Sequence, residues 1–173
     1  MCNISVDYTK LLNQGFYAKK TELEALREEF FQRGEREKAH YLQLQIDILD
    51  HVLSLASRYQ KLAEQRGNEV VAKTLLSVPA HAPQSFLEAL SMFRIIHFTM
   101  WCGRNYHNTV GRFDQYIYPY LKADLDKGLY TEESALELLE EFFLTFNRDS
   151  DLYPGMQQGD NGQSLVLGGL NED

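Results

Sequence analysis

Cysteine is nearly absent: Cys2 and Cys102 are the only two in 173 residues. That excludes a disulfide framework and points to a reducing compartment. Proline is equally scarce, with 4 in the chain and none before Pro79, so nothing in the long first stretch breaks a helix. Positive charge is short as well. Against 25 Asp+Glu there are 17 Lys+Arg, a net charge of −8 that repels phosphate backbones and anionic lipid headgroups. Neither nucleic acid nor a membrane surface is an expected partner. The opening MCNISVDYTK lacks a basic segment followed by an apolar one, so no secretory leader is expected and the protein reads as cytoplasmic. A long apolar run is also missing. Phe86 to Trp101 comes nearest, but Glu88, Arg94 and His97 interrupt it, and a span needs about 20 mostly apolar residues.

What is present is an ordinary globular balance, 44% apolar and 24% charged. The length suits one domain, and 1–173 is expected to be a single partial domain of mainly α class. Leu, Glu, Lys, Gln and Ala dominate the proline-free stretch, which Gly34 divides into helices expected at about 8–31 and 35–65. Asp7 is placed as N-cap or first-turn carboxylate, and Gly67-Asn68 as the stop of the second helix. On that second helix Leu42, Ile46, Leu49, Leu53, Ala56, Tyr59 and Ala63 form one apolar stripe. Leu44, Ile48, Leu55 and Leu62 form another, and two apolar faces need two neighbours. Further helices are expected at about 70–76, 86–102, 119–127 and 132–147. Ser85 and Glu88 have capping-box spacing, Tyr118-Pro119-Tyr120 marks the entry to the fifth helix, and Thr131 caps the last. The helix over 86–102 carries Leu87, Leu90, Phe93, Ile95, Ile96, Phe98, Met100 and Trp101 around most of its circumference, so it belongs in an interior.

Strand character is confined to Ser164-Leu-Val-Leu167, which reads as a short, fully buried strand with no partner upstream. A lone buried strand strands its own backbone groups, at about 1 to 3 kcal/mol each. The helices therefore read as one layer of an α/β body whose other strands lie elsewhere.

Few residues invite chemistry directly. His40, His51, His81, His97 and His107 include no HExxH spacing, and no metal site is expected; His97 reads as a hydrogen-bonded core histidine. Cys102, ending the apolar helix, reads as buried and inert. Gly155, Gly159, Gly162, Gly168 and Gly169 precede no P-loop lysine, so nucleotide binding is not expected. More informative is 105–115, which places Asn105, Tyr106, His107, Asn108, Thr109, Arg112, Asp114 and Gln115 directly after the most apolar helix. Polar groups there must be paired, so the segment is either an internal polar latch or a pocket wall.

Gly111-Arg112-Phe113-Asp114-Gln115-Tyr116-Ile-Tyr118-Pro119-Tyr120 resembles the signature of the glycyl radical enzymes. This is the pyruvate formate-lyase-like family, which includes formate C-acetyltransferase and the diol, glycerol, choline and hydroxyproline lyases or dehydratases. Three collinear segments agree: Asp7-Tyr8 with Leu11-Leu12 and Gly15; Val78-Pro79-Ala80 with Ser85-Phe-Leu-Glu-Ala-Leu90; and Asn161 to Gly169. The resemblance implies the helical layer and first strands of a ten-stranded α/β barrel. It also implies radical chemistry from a glycyl radical installed by an S-adenosylmethionine iron–sulfur activase and passed to a cysteine thiyl. Both radical residues fall after the matched portion, so no catalytic residue is assigned here and this chain alone is expected to be inactive, with no cofactor bound. Substrate-pocket candidates carried over by position are Tyr106, His107 and Asn108 before the GRFDQ motif, with Asn3 and Asp7 at the entry segment. Where many relatives have Gly-His ahead of that Asp, this chain has Cys2-Asn3, and Tyr106 stands in a His position. Gly111 to Gln115 are read as structural. The implied partners are a small polar substrate and the activating enzyme, with a second copy or a complementing chain left open. The alternative reading is a non-catalytic helical module for protein interaction or self-association, driven by bare apolar surface.

Overall fold

The computed structural model describes residues 4–103, 108–149 and 163–168. Its elements run β1 (Ile4–Ser5), α1 (Tyr8–Gln32), α2 (Arg36–Gln65), α3 (Glu69–Ser77), α4 (Phe86–Cys102), β2 (Asn108–Thr109), α5 (Phe113–Asp126) and α6 (Glu132–Leu144), followed by a 3-10 turn over Thr145–Arg148. The chain divides into two compact units, one of Thr9–Ile95 and the other of Met1–Tyr8 with Ile96–Asp173. None of the described helices is long and apolar enough to cross a membrane.

In the Thr9–Ile95 unit, Gly34 with φ +77° turns α1 into α2, and Leu23, Leu42 and Ile46 form a buried cluster joined by Phe30 and Leu49. Lys20 Nζ reaches both carboxylate oxygens of Asp50, at 2.6 and 2.8 Å. Asn68 stops one helix and starts the next, its side chain accepting from the N–H of Val71. Ser85 accepts from the Glu88 N–H as expected, while the Glu88 carboxylate reaches back to the Gln84 N–H. On α2 the inward stripe differs from the sequence reading around its C-terminal half: Val52 and Gln60 are buried and Tyr59 is 53% exposed. Tyr59 falls on the outer face because two successive three-residue steps, Leu53 to Ala56 to Tyr59, carry it about 120° around the helix from Leu53.

α1 is not one continuous helix. At Gly15 the backbone leaves helical geometry, φ 75° and ψ 168°. The freed N–H groups of Phe16 and Tyr17 donate to the carbonyls of Pro79 and Ala80, both at 2.9 Å, beside the cis Val78–Pro79 bond.

In the other unit β1 pairs in parallel with β2, Ile4 opposite Asn108 and Ser5 opposite Thr109. The same segment continues to a parallel bridge between Gly111 and Leu165. The 164–167 strand therefore does have an upstream partner, contrary to the sequence expectation. Its partners escaped notice because strands of two residues are too short to show an alternation. Nor is the run buried: Leu165, Val166 and Leu167 are 36%, 50% and 61% exposed. Parallel neighbours require crossovers, which the helices α1 to α4 and then α5 with α6 supply. α5 begins at Phe113, six residues ahead of the expected start, and holds Pro119 inside it. Pro119 and Gln115, whose carbonyl loses a donor, are both exposed, so water can take that place. Thr131 caps α6 reciprocally with Ser134.

Candidate functional site

The site grows from the segment that follows α4. Asn108 and Val110 are buried at 1% and 2%. Val110 and Gly111 N–H both donate to the Ser164 carbonyl, at 2.9 and 3.2 Å, and Val166 N–H donates to Gly111 at 2.9 Å. Gly111, at φ 71°, lets the chain turn from this pairing into α5. Two residues into α5's first turn, Asp114 works in two directions. Its Oδ1 accepts from Arg112 Nε at 3.3 Å and its Oδ2 from the Gly168 N–H at 2.9 Å. Partial desolvation raises the Asp114 pKa, but the Arg112 hydrogen bond, the Gly168 and Gln115 N–H groups and the Arg112 charge outweigh it, so the net shift is downward.

Phe113 anchors the helix start in an aromatic cluster with Phe142, Phe143 and Tyr116, at centroid distances of 5.4, 5.3 and 5.8 Å. The Tyr116 hydroxyl donates to the Val110 carbonyl at 2.8 Å. Burial first, with Tyr8 and Asp114 adding to it, raises the Tyr116 pKa, so its phenol stays neutral.

Tyr116 stacks on Tyr8 at 5.4 Å, and Tyr8 opens a buried polar chain. The Tyr8 hydroxyl lies 2.8 Å from His97 Nδ1, His97 Nε2 lies 2.6 Å from Gln163 Oε1, and Gln163 Nε2 donates to the Phe146 carbonyl at 3.1 Å. The far end settles the proton positions. Because the Gln163 amide nitrogen faces a carbonyl, its oxygen faces His97, so Nε2 carries the hydrogen and Nδ1 accepts from Tyr8. The Trp101 indole nitrogen, 3.3 Å from Nε2, then meets an N–H rather than a lone pair and makes a packing contact. His97 is wholly buried, as expected of a hydrogen-bonded core histidine. Its partners were not legible, because 89 residues separate it from Tyr8 and 66 from Gln163.

Of the pocket candidates, Asn3, Tyr106 and His107 lie outside the described residues. Asn108 is buried in β2, and Asp7 is exposed immediately before α1. The β1–β2 register sets Ile4 opposite Asn108 and Ser5 opposite Thr109, so β1, just before Asp7, lies beside Asn108. Cys102 is exposed, not buried: the last turn of α4 runs past the covered part of the helix. Among the described residues no group of three or more His, Cys, Asp or Glu side chains converges to hold a metal ion. The arrangement is thus a positioning frame of neutral and paired groups around parallel strand ends.

A family model, pyruvate formate lyase-like, matches residues 1–173. The chain belongs to that family. It is 26% identical to a (2S)-3-sulfopropanediol dehydratase of Klebsiella oxytoca over 191 aligned residues, covering 99% of this chain and 23% of the relative. It is 31% identical to an isethionate sulfite-lyase of Oleidesulfovibrio alaskensis, covering 85% of this chain and 20% of that protein. Among solved structures it is similar to one described for 1,2-propanediol dehydration in Roseburia inulinivorans, with a TM-score of 0.83 and 26% identity over 96% of this chain and 23% of that one. A glycyl radical enzyme from Archaeoglobus fulgidus gives a TM-score of 0.71 and 27% identity over 80% of this chain and 20% of that one. The chain therefore spans about a fifth of the relatives it matches, and its helices and short parallel strands are a helical part of a glycyl radical enzyme barrel.

Proposed function

We propose that this chain forms the substrate-facing helical part of a glycyl radical lyase or dehydratase acting on a small polar, hydroxylated molecule. The observation that carries the reading is the GRFDQ segment itself. Asp114 and Gly111 bind it to the 163–168 stretch, and Tyr116 and Tyr8 tie it to α4, within a family match that covers 1–173. Such a frame would hold Tyr106, His107 and Asn108 against the entry segment of Asn3 and Asp7, where polar side chains can orient hydroxyl groups. The named relatives support lyase or dehydratase chemistry over formate acetyl transfer.

A glycyl radical, when installed by an S-adenosylmethionine iron–sulfur activase, supplies hydrogen-atom abstraction. This chain's residues would bind and orient substrate and keep water away. Cys102 precedes the 164–167 strand and is exposed, which does not suit a thiyl position, so the 173-residue chain alone is inactive under this proposal. A cytoplasmic setting, with the substrate and the activase as partners, belongs to the same reading.

The test is electron paramagnetic resonance after anaerobic incubation with the reduced activase and S-adenosylmethionine. The reading frame carrying this chain together with the sequence downstream of Asp173 is expected to give a glycyl radical signal and consume a hydroxylated substrate. The 173-residue chain is expected to give neither. Radical or turnover from the short chain, or none from the long reading frame, overturns the proposal.

A further inference from the structure

The inward stripe of α2 advances in alternating steps of four and three residues through Leu42, Ile46, Leu49, Leu53 and Ala56, and its next place falls to Gln60. A polar residue thus stands where the pattern calls for an apolar one. Gln60 is 7% exposed, and its amide has no hydrogen-bond partner among the described residues. A primary amide holds two donors and an acceptor, and burying them unpaired is costly. Gln60 lines a cavity of about 180 Å³ bounded by α2, the end of α3 and the turn at Pro79. That is the volume of roughly six liquid waters. All of its lining residues belong to the Thr9–Ile95 unit.

The rest of the lining narrows the chemistry of an occupant. Leu53, Leu75 and Pro79 supply apolar wall, and among the described residues none that lines the cavity is charged. The carbonyls of α3 point along its axis toward its C-terminal end. There the Leu75 carbonyl has no helical donor: Pro79, four residues on, has no N–H, and the Val78 N–H goes to the Thr74 carbonyl at 3.1 Å.

We propose that this cavity is a binding site for a small neutral carboxamide. An anion would face the negative end of α3 and the Gln60 oxygen. A cation would face the Gln60 NH2 group with no carboxylate in the lining to balance it. Water pairs the amide but leaves the apolar wall wet. A carboxamide pairs both halves of Gln60 at once. Its NH2 group donates to Gln60 Oε1, its oxygen accepts from Gln60 Nε2, and its second N–H is left for the carbonyl end of α3. Its alkyl part then covers Leu53 and Pro79. The inference does not rest on the catalytic reading.

The test is a titration of the ¹⁵N-labelled 173-residue chain with three molecules of one shape and different charge: isobutyramide, isobutyrate and isobutyramidinium. Isobutyramide is expected to shift the Gln60 side-chain amide and the Val78 N–H and to saturate in the millimolar range. The two ions are expected to bind at least about tenfold more weakly. Gln60→Met, close in volume, is expected to weaken isobutyramide at least about tenfold while its urea midpoint stays level or rises, because the unpaired amide is gone. The reading frame extended past Asp173 is expected to keep the response. No shift at Gln60 means that the cavity holds water alone and overturns the proposal. An equal response to the three molecules, full affinity in Gln60→Met, or a response lost in the extended chain because its own residues fill the cavity also overturns it.

Discussion

Gly15→Ala tests how closely the Pro79–Ala82 turn is held against α1. A Cβ at Gly15 would lie 2.5 Å from the His81 carbonyl carbon, 2.6 Å from the Ala82 nitrogen and 2.8 Å from the His81 Cα. All three are backbone atoms, so no side-chain rotation relieves the overlap. With φ 75° and ψ 168°, Gly15 also sits in a region that is essentially glycine's alone, where another residue costs about 1 to 3 kcal/mol. If the turn retreats, the bonds from Phe16 to Pro79 and from Tyr17 to Ala80 go with it, at about 1 kcal/mol each. The expected loss is about 3 to 5 kcal/mol, a large share of the 5 to 15 kcal/mol typical of a domain. Gly67→Ala separates the two causes, because Gly67 has φ 71° and nothing within 4 Å of its added Cβ. It should cost only about 1 kcal/mol of backbone strain. Urea unfolding followed at 222 nm measures both. A Gly15→Ala cost no greater than that of Gly67→Ala would refute the close approach.

Three further predictions concern the unit of Met1–Tyr8 with Ile96–Asp173. Tyr8→Phe removes the donor to a wholly buried His97 nitrogen and should cost about 1 to 3 kcal/mol in chemical unfolding; the His97 ¹⁵N shifts should report a proton on Nε2 in the parent chain. Because the folded Asp114 pKa lies below its unfolded value of about 4, its stabilisation is complete above that value and fades as pH falls through the folded one. The stability gap between the parent and Asp114→Asn should therefore be widest near neutral pH and shrink as pH falls below the unfolded carboxylate value of about 4; a gap that widens on acidification would contradict it. Thr131→Ala should lose about 1 kcal/mol, seen as a lower urea midpoint, and Ser134→Ala should not add a full second loss because the two caps share one box.

The helices were legible because their signals are local. Gly34, Gly67-Asn68, Ser85 and Thr131 mark ends by turn and cap chemistry, and the observed ends of α2 and α4 fall within a residue of the expected ones. The break at Gly15 was not legible, because the residues around it remain good helix formers and the cause lies more than sixty residues away at Pro79 and Ala80. Pro119 misled in the opposite direction. It read as a start signal, yet Phe113 fixes the start by entering the aromatic cluster, and the exposed face tolerates the missing donor. In the site, the GRFDQ residues were legible as a unit. Their partners were not, since Gly168 meets Asp114 and Leu165 meets Gly111 only through tertiary contacts.

Those contacts answer a question the strands themselves leave open, namely what fixes the register of pairing two residues long. A slip of one residue, about 3.3 Å, normally fails because it turns buried side chains outward. Here Leu165 to Leu167 are already exposed, so burial does not oppose a slip. The polar ties do. Gln163, just before the run, is held by His97 and by the Phe146 carbonyl, and Gly168, just after it, is held by Asp114. A shift in either direction breaks ties at both ends at once, taking Gln163 away from His97 Nε2 and from the Phe146 carbonyl and Gly168 away from Asp114. A buried histidine on α4 and an aspartate on α5 thus specify the alignment that the apolar pattern cannot, and in this sense the polar residues act as a latch.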